Sequence, residues 1–292
     1  MKSQKGKLKT KHKVAIGLFL LFLLVVCGLN RKYEVIAFHP FGKEGQTELN
    51  VMTWNVHCSL WADSIRQQAI AELILREDVD LVLLNEYNQD SCRIADSLLR
   101  ERYPFTVERN SHQKSGDIFY STRMMSNTGR VYRRRDVKGV QITKTTIAAG
   151  RDSVQVFGVH LASNHFDTSA TELGNETDLS FFQRYKAAQE NRCFQAHWIK
   201  EAVVRSSIPV VLMGDMNDFS CSAPLDTITS CGLVDAWWEG GNGYGSTFHS
   251  GWMRLRIDHI FHSEELKLVS IKVIDTNLSD HNPVVAGFRV EK

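Results

Sequence analysis

Apolar and polar positions along this chain fall into short, alternating blocks that predict strands separated by helices. Leu49 to Val56 alternates in part and is rich in β-branched and aromatic residues, which predicts a strand. Asp63 or Ser64 then caps a helix running to about Arg76, with Ile65, Ala69, Ile70, Leu73 and Ile74 at helical spacing. Val79 to Leu84 is a continuous apolar run, read as a buried strand ending in Asn85-Glu86. A second helix is predicted over 91–102 and a strand over 118–121. Residues 140–149 and 153–161 read as a hairpin joined through Gly150-Arg151-Asp152. Residues 165–179 are polar and read as a surface loop, followed by a long helix from about Ser180 to Arg205 with Phe181, Tyr185, Ala188, Phe194 and Trp198 for packing. Pro209 starts a buried strand, Val210 to Met213, and Gly214 is read as a turn. Beyond it come a short helix within 219–236, a glycine-rich loop over 240–245, a strand over 254–261 with Asp258 at its middle, and strands over 269–274 and 284–290.

The polar residues that close these strands carry the chemistry. Asp215 and Asn217 are two apart, which in an extended segment puts them on one face. A carboxylate beside a carboxamide on a rigid strand suits metal-assisted hydrolysis of a phosphate ester. Glu86 ends an apolar strand and suits a hard cation, since Mg²⁺ takes one or two carboxylates plus water and substrate oxygens. Asn55 closes its strand with no turn signal after it. His160 ends the second arm of the hairpin, and Asn164 lies just beyond. Asp280-His281 sits in a tight loop before Pro283, a place for an acid–base pair. No cysteine cluster, serine elbow or phosphate-cradling glycine loop competes with these residues.

Composition divides the chain. Of 292 residues, 43% are hydrophobic and 23% charged, ordinary values for a globular protein. The N-terminus differs: residues 1–13 hold six lysines and no acid, and Val14 to Leu29 is an uncharged apolar run followed by Asn30-Arg31-Lys32. That pattern predicts a cytoplasmic basic tail and transmembrane signal anchor over 1–32, a linker over 33–48 and a catalytic domain over 49–292. A cleaved signal peptide and a lipoprotein with Cys27 as its acceptor are the other readings of the same segment. Lysines inside place the domain on the far side of the membrane, periplasmic or extracellular. Without the leader the chain has 27 basic and 33 acidic residues, a balance of −6, so nothing draws it globally to polyanions. Arg133, Arg134 and Arg135 form a local basic cluster that leaves nucleic acid open as a partner without establishing it. The spacing of the cysteines argues against zinc, and Cys221 and Cys231 leave a disulfide open.

Thr53-Trp54-Asn55-Val56, Leu84-Asn85-Glu86, Val159-His160-Leu161, Gly214-Asp215-Met216-Asn217-Asp218, Arg256-Ile257-Asp258-His259-Ile260 and Ser279-Asp280-His281 occur in that order. Together they resemble the endonuclease/exonuclease/phosphatase superfamily, the DNase I-like group that includes AP endonucleases, neutral sphingomyelinases and inositol polyphosphate 5-phosphatases. The resemblance implies an α/β fold: a four-layer αββα sandwich of two packed mixed β-sheets flanked by helices, here with an N-terminal membrane segment. It implies a metal-dependent phosphoesterase that attacks a phosphodiester or phosphomonoester with an activated water. Glu86, Asn55 and Asp280 would bind Mg²⁺ or Mn²⁺. Asp215 would orient or deprotonate the water, Asn217 would hold the phosphate or nucleophile, and His160 would stabilise the phosphorane or leaving oxygen. His281, oriented by Asp258, would contact the phosphate or act as base. Asn164, Arg133, Arg134 and Arg135 are the candidate substrate contacts.

The match has departures. A carboxylate partner for His160 falls near Gly116-Asp117-Ile118, and Met216 stands where an aromatic is common. The glycine that often follows the Trp-Asn strand is missing, as is the longer inositol 5-phosphatase motif before Asp258. These features suggest a membrane-anchored bacterial branch, acting as a monomer on a phosphate ester. A catalytically silent binding module on the same fold is the alternative.

Overall fold

A computed structural model describes residues 21–22, 25, 36–38, 45–57, 63–109, 116–131, 141–163 and 181–291. The first half of the chain contributes strands β1 (Ala37–Phe38), β2 (Leu49–Asn55), β3 (Leu81–Tyr87), β4 (Phe105–Arg109), β5 (Gly116–Ser121), β6 (Ser126–Arg130), β7 (Gln141–Ala149) and β8 (Asp152–His160). The second half adds β9 (Val210–Asp215), β10 (Leu233–Asp235), β11 (Asn242–Gly243), β12 (Phe248–Ser250), β13 (Met253–Leu255), β14 (Asp258–Ser263), β15 (Leu266–Val273) and β16 (Val284–Val290). The helices are α1 (Ser64–Glu77), α2 (Arg93–Arg102), α3 (Phe181–Val204), α4 (Ala223–Thr229) and α5 (Ala236–Gly240).

Two six-stranded sheets form the centre, in the orders β15-β16-β2-β3-β5-β4 and β10-β14-β9-β8-β7-β6. Each has one parallel pair at its middle, β2 with β3 and β8 with β9, and antiparallel neighbours on both sides. A parallel pair needs a crossover, and α1 and α3 are those crossovers. Because central strands are covered on both faces, their alternate residues enter different cores. Leu81 and Leu83 face the space between the sheets, with Phe119, Val211, Met213 and Ile260. Val82 and Leu84 face the other way, onto Ile70, Ile74 and Leu99 of α1 and α2. Leu212 and Phe157 pack under Ala196, Ile199 and Leu225 of α3 and α4. Three apolar layers between four structural layers make the expected αββα sandwich. Each wholly buried Leu or Ile in them contributes about 1.5–3 kcal/mol.

Several local expectations change. Gly214 is not a turn: β9 runs through it to Asp215. Its φ is +142° and a Cβ there would lie 1.9 Å from the carbonyl oxygen of Val159, so no other residue fits the β8–β9 seam. The strand expected over 254–261 is two strands broken at Arg256-Ile257, and Asp258 opens β14 instead of lying mid-strand. Ile65 is exposed, while Asp63 caps α1 as expected, accepting from the Ile65 N–H at 2.9 Å. The segment read as a glycine-rich loop contains the end of α5 and β11, which pairs with β1 from within the segment read as a linker. Cys221 and Cys231 are separate free thiols. Among the described residues no helix is long and apolar enough to cross a membrane, and most of Val14 to Leu29 lies outside them. Asn164, Arg133, Arg134 and Arg135 also lie outside the described residues, as does the loop expected over 165–179.

Candidate active site

Both parallel pairs end together. Asn55 is in register with Asn85, one residue before Glu86, and His160 is in register with Asp215. β14 then pairs Asp258 directly opposite Asp215. Sheet packing therefore brings Glu86, Asp215, Asp280 and His281 to one cavity of about 250 Å³, with Asn217 on its wall.

Backbone irregularities aim two of these groups. The β3–β5 register shifts between Leu84 and Tyr87, and Glu86 has φ +52°, so β3 bulges where it delivers the carboxylate. Asn217 has φ +51°, so Asp215 and Asn217 meet through a left-handed turn and not along an extended face. The Asn217 N–H donates to Asp215 Oδ1 at 2.8 Å, and its side-chain amide donates to the carbonyl of Leu161 at 3.0 Å.

Asp215 is 1% exposed and held from several sides. Asn55 Nδ2 donates to its Oδ2 at 3.0 Å and also to Glu86 Oε1 at 3.0 Å. Two imidazoles face it, with His160 Nε2 at 3.7 Å and His281 Nε2 at 3.9 Å. His160 Nε2 lies 3.8 Å from Glu86, and its Nδ1 lies 3.8 Å from Asp117, the carboxylate flagged near position 117. His281 is fixed more tightly. Its Nδ1 is 2.7 Å from Asp258 Oδ2, its carbonyl accepts from Trp54 Nε1 at 2.8 Å, and its ring meets Phe248 edge-on at 4.9 Å.

The charges around His281 set its protonation. Burial disfavours the imidazolium, but the Asp258 carboxylate, by charge and hydrogen bond, with Asp215 and Asp280 behind it, outweighs burial and pushes His281 up to about 10. Burial also pushes the Asp258 carboxyl up, against the pull of His281. For Asp280, burial opposes ionisation, yet the His57 hydrogen bond and the nearby His281 charge hold the carboxyl below its ordinary value.

Sequence reasoning missed three supports. Asn85 donates to Asp117 Oδ1 at 3.0 Å and to the Val159 carbonyl at 3.1 Å, and accepts from the Asp215 N–H at 3.2 Å. It stitches the two parallel pairs together. Arg192 of α3 is wholly buried, donating to Asp218 at 2.9 Å and to the Ala162 carbonyl at 2.8 Å, which braces the segments after β9 and β8. His57 stands 3.1 Å from Asp280. A buried Asn beside Glu86 and a His two places after Asn55 were legible only as strand ends.

A model of the endonuclease/exonuclease/phosphatase family matches residues 52–281. The chain belongs to that family. Its members are divalent-metal-dependent phosphoesterases. Similar solved structures include a humanised D. rerio TDP2 carrying 14 mutations, at 14% identity and TM-score 0.64, covering 83% of this chain and 99% of that one. An AP endonuclease from Archaeoglobus fulgidus aligns at 17% identity and TM-score 0.62, covering 83% and 100%. The 3' phosphatase NExo from Neisseria, bound to a product DNA hairpin, aligns at 18% identity and TM-score 0.59, covering 82% and 99%. These likenesses concern the fold. No curated protein sequence matches the chain.

Two groups of residues offer donors to a cation. Ligand atoms of Asp215, Asp258 and His281 lie within 4.8 Å of one another. There, His281 Nδ1 is already engaged by Asp258 Oδ2 at 2.7 Å. The other side of the cavity has the carboxylates of Glu86 and Asp280, oxygen donors of the kind a hard divalent ion takes, and Asn55 Nδ2 holds Glu86 from behind.

Proposed function

We propose that this chain is a Mg²⁺- or Mn²⁺-dependent hydrolase of phosphoric esters in which Asp215 activates water and two imidazoles receive the charge of the phosphoryl group. One observation carries the reading: the buried Asp215 carboxylate, which borders the cavity, is flanked at 3.7 and 3.9 Å by His160 and His281. Asp215 takes the proton of the attacking water. Asn55 and the Asn217 N–H hold the carboxylate oriented for that transfer. His281, kept charged by Asp258, donates to a non-bridging oxygen, and His160 contacts the leaving oxygen. Glu86 and Asp280 would hold the cation, with Asn55 Nδ2 fixing the Glu86 carboxylate. When bound, the divalent ion neutralises developing charge on the phosphoryl oxygens.

Among the described residues, Phe219, Phe248, Met253, Leu255 and Ile257 line the cavity, with no Lys or Arg beside them. A phosphodiester with an uncharged, flat or apolar group beside the scissile phosphate suits this wall better than a polyphosphorylated head group. The structural relatives named for AP endonuclease and 3' phosphatase activity, one of them bound to DNA, make nucleic acid the first class to test. The test is a panel of DNA, RNA, sphingomyelin, phosphoinositides and small phosphate esters, assayed with the full-length chain in detergent. Turnover of a phosphodiester with Mg²⁺ or Mn²⁺ supports the reading. Preferred turnover of a polyphosphorylated inositol overturns the substrate class. Tight, metal-independent binding without turnover favours a silent binding module.

Anchorage of the domain outside the cytoplasm through residues 14–29 is a second proposal, supported by the six lysines before that run and the two basic residues after it. Protease protection of the domain in intact cells, lifted by permeabilising the outer barriers, tests it. Release of the full-length chain into the soluble fraction contradicts it.

A further inference from the structure

We propose that the β12–β13 hairpin is a membrane contact: Trp252 at its tip enters the headgroup layer of the bilayer that holds residues 14–29, which sets the cavity at the membrane surface. The proposal rests on the anchorage put forward above and not on the chemistry of the cavity. Phe248 faces Leu255 and Ser250 faces Met253 across the hairpin, and all four line the cavity. One face of the hairpin is therefore a wall of the cavity. The hairpin is a two-stranded sheet of its own, and its base is fixed to the Asp280-His281 loop. The His249 N–H donates to the Asp280 carbonyl at 2.9 Å, and the Asn282 N–H donates to the Thr247 carbonyl at 2.6 Å.

Gly251 and Trp252 form the turn between the paired Ser250 and Met253, with Gly251 at φ +56° and nothing within 4 Å of where its Cβ would stand. Trp252 is 94% exposed, the most of any large hydrophobic among the described residues, whereas Trp54 and Trp237 are buried. An indole in water adds nothing to the core. Its amphipathic ring suits the boundary between lipid headgroups and acyl chains. Arg254 is exposed beside it, on the face of the hairpin turned away from the cavity wall, and offers a cation to lipid phosphates.

The chain itself keeps this tip within reach of lipid. β1 pairs Ala37 with Gly243 of β11, so the segment that follows the apolar run is tied to one flank of the domain. Ala37 is eight residues beyond Leu29, a reach of at most about 28 Å. A domain of about 240 residues is about 45 Å across. The tether is thus shorter than the domain is wide, and the β1–β11 flank stays toward the bilayer. β12 begins five residues after β11 ends, at most about 18 Å of chain from that flank. A nucleobase is the competing occupant of an exposed indole. The balance of −6, from 27 basic and 33 acidic residues beyond the leader, works against a polyanion and does not hinder zwitterionic headgroups.

The tryptophans are Trp54, Trp61, Trp198, Trp237, Trp238 and Trp252, none of them in the leader, so indole fluorescence reports on the domain and not on the anchor. The full-length protein is reconstituted into phosphatidylcholine vesicles with brominated acyl chains, which quench indoles that enter the bilayer. The expected result is quenching in the wild type and in Trp61→Phe, with at least about half of it lost in Trp252→Phe. The melting temperature of Trp252→Phe should match the wild type, because the ring lies outside the core. Vesicle-bound protein without quenching, or quenching that Trp252→Phe leaves intact, overturns the membrane contact. A Trp252-dependent change on adding a single-stranded oligonucleotide, in place of lipid quenching, assigns the tip to nucleobases and overturns it as well. Alkaline carbonate extraction separates the two levels. Protein that washes off the vesicles contradicts the anchorage itself, whereas protein that stays embedded without quenching contradicts only the role of Trp252.

Discussion

Two buried Asp–His pairs share strand β14 and have opposite characters. Asp258 and His259 are adjacent, so their side chains leave the strand on opposite faces. Asp258 meets His281 Nδ1 at 2.7 Å, and His259 Nδ1 meets Asp235 Oδ2 at 3.1 Å. The chemical parts are the same. The difference is a third partner. Arg256 donates to Asp235 at 2.7 Å, the Trp237 N–H donates to it at 2.9 Å, and Arg256 also reaches Ser220. Burial disfavours the Asp235 carboxylate, but the Arg256 charge and the His259 hydrogen bond hold it well below the usual carboxylate range. That network ties β10, β14 and the start of α5 together. Among the described residues, no arginine reaches Asp258. Its partner His281 keeps the proton and borders the cavity. A second charge beside the carboxylate, and access to the cavity, separate a structural pair from a chemical one.

The contrast can be broken by mutation. The largest effects belong to the cavity pair: His281→Gln and Asp258→Asn should each lower turnover by about 10²–10⁴-fold, with a melting temperature near that of the wild type. Steady-state kinetics paired with thermal melting checks this, and near-normal turnover in either variant would remove His281 from the chemistry. Arg256→Met should do the reverse. It leaves Asp235 charged and buried, costing about 3–5 kcal/mol of stability, while the folded fraction keeps the metal dependence of its turnover. Denaturant unfolding measures the loss, and a drop below about 1 kcal/mol would show that the network is not structural.

Gly214→Ala tests the seam on which both pairs depend. Its Cβ would meet the Val159 carbonyl, so β8 and β9 must separate, and His160 must move relative to Asp215. The expectation is lost stability of about 1–3 kcal/mol together with lost turnover. Retained activity at reduced stability would mean the His160–Asp215 register is not needed.

The smallest effect is on acid stability. The folded-state pKa of Asp235 is depressed, so its stabilisation is present above the unfolded value of about 3.9 and disappears as pH falls below it. Asp235→Asn should flatten the fall of melting temperature as the pH drops below about 4. An unchanged acid slope would place the acid-sensitive groups elsewhere.

Much of the fold was legible because the central strands are apolar on both faces. Leu81–Leu84 and Val210–Met213 needed no context to be read as buried. The polar edges were not legible: β6, Ser126–Arg130, is largely exposed and holds its place only by pairing with β7. Asn55, Glu86, His160, Asp215, Asn217, Asp258, Asp280 and His281 were named from strand ends and family pattern, and the two sheets gather them at one end. Local aim was invisible, because a bulge at Glu86 and a left-handed Asn217 depend on neighbours far away in sequence. So was the distinction between Asp258 and Asp235, which depends on Arg256 choosing one carboxylate and not the other. His57 and Asn85 were passed over because each looked like the polar end of an apolar strand.

The most direct test of the account is hydrolysis of bis(p-nitrophenyl) phosphate by the full-length chain in detergent, with and without chelator, for wild type and Asp215→Asn. The account predicts turnover that chelation stops, that Mn²⁺ or Mg²⁺ restores, and that Asp215→Asn lacks while still binding Mn²⁺. Turnover indifferent to chelation, or preserved in Asp215→Asn, would contradict it.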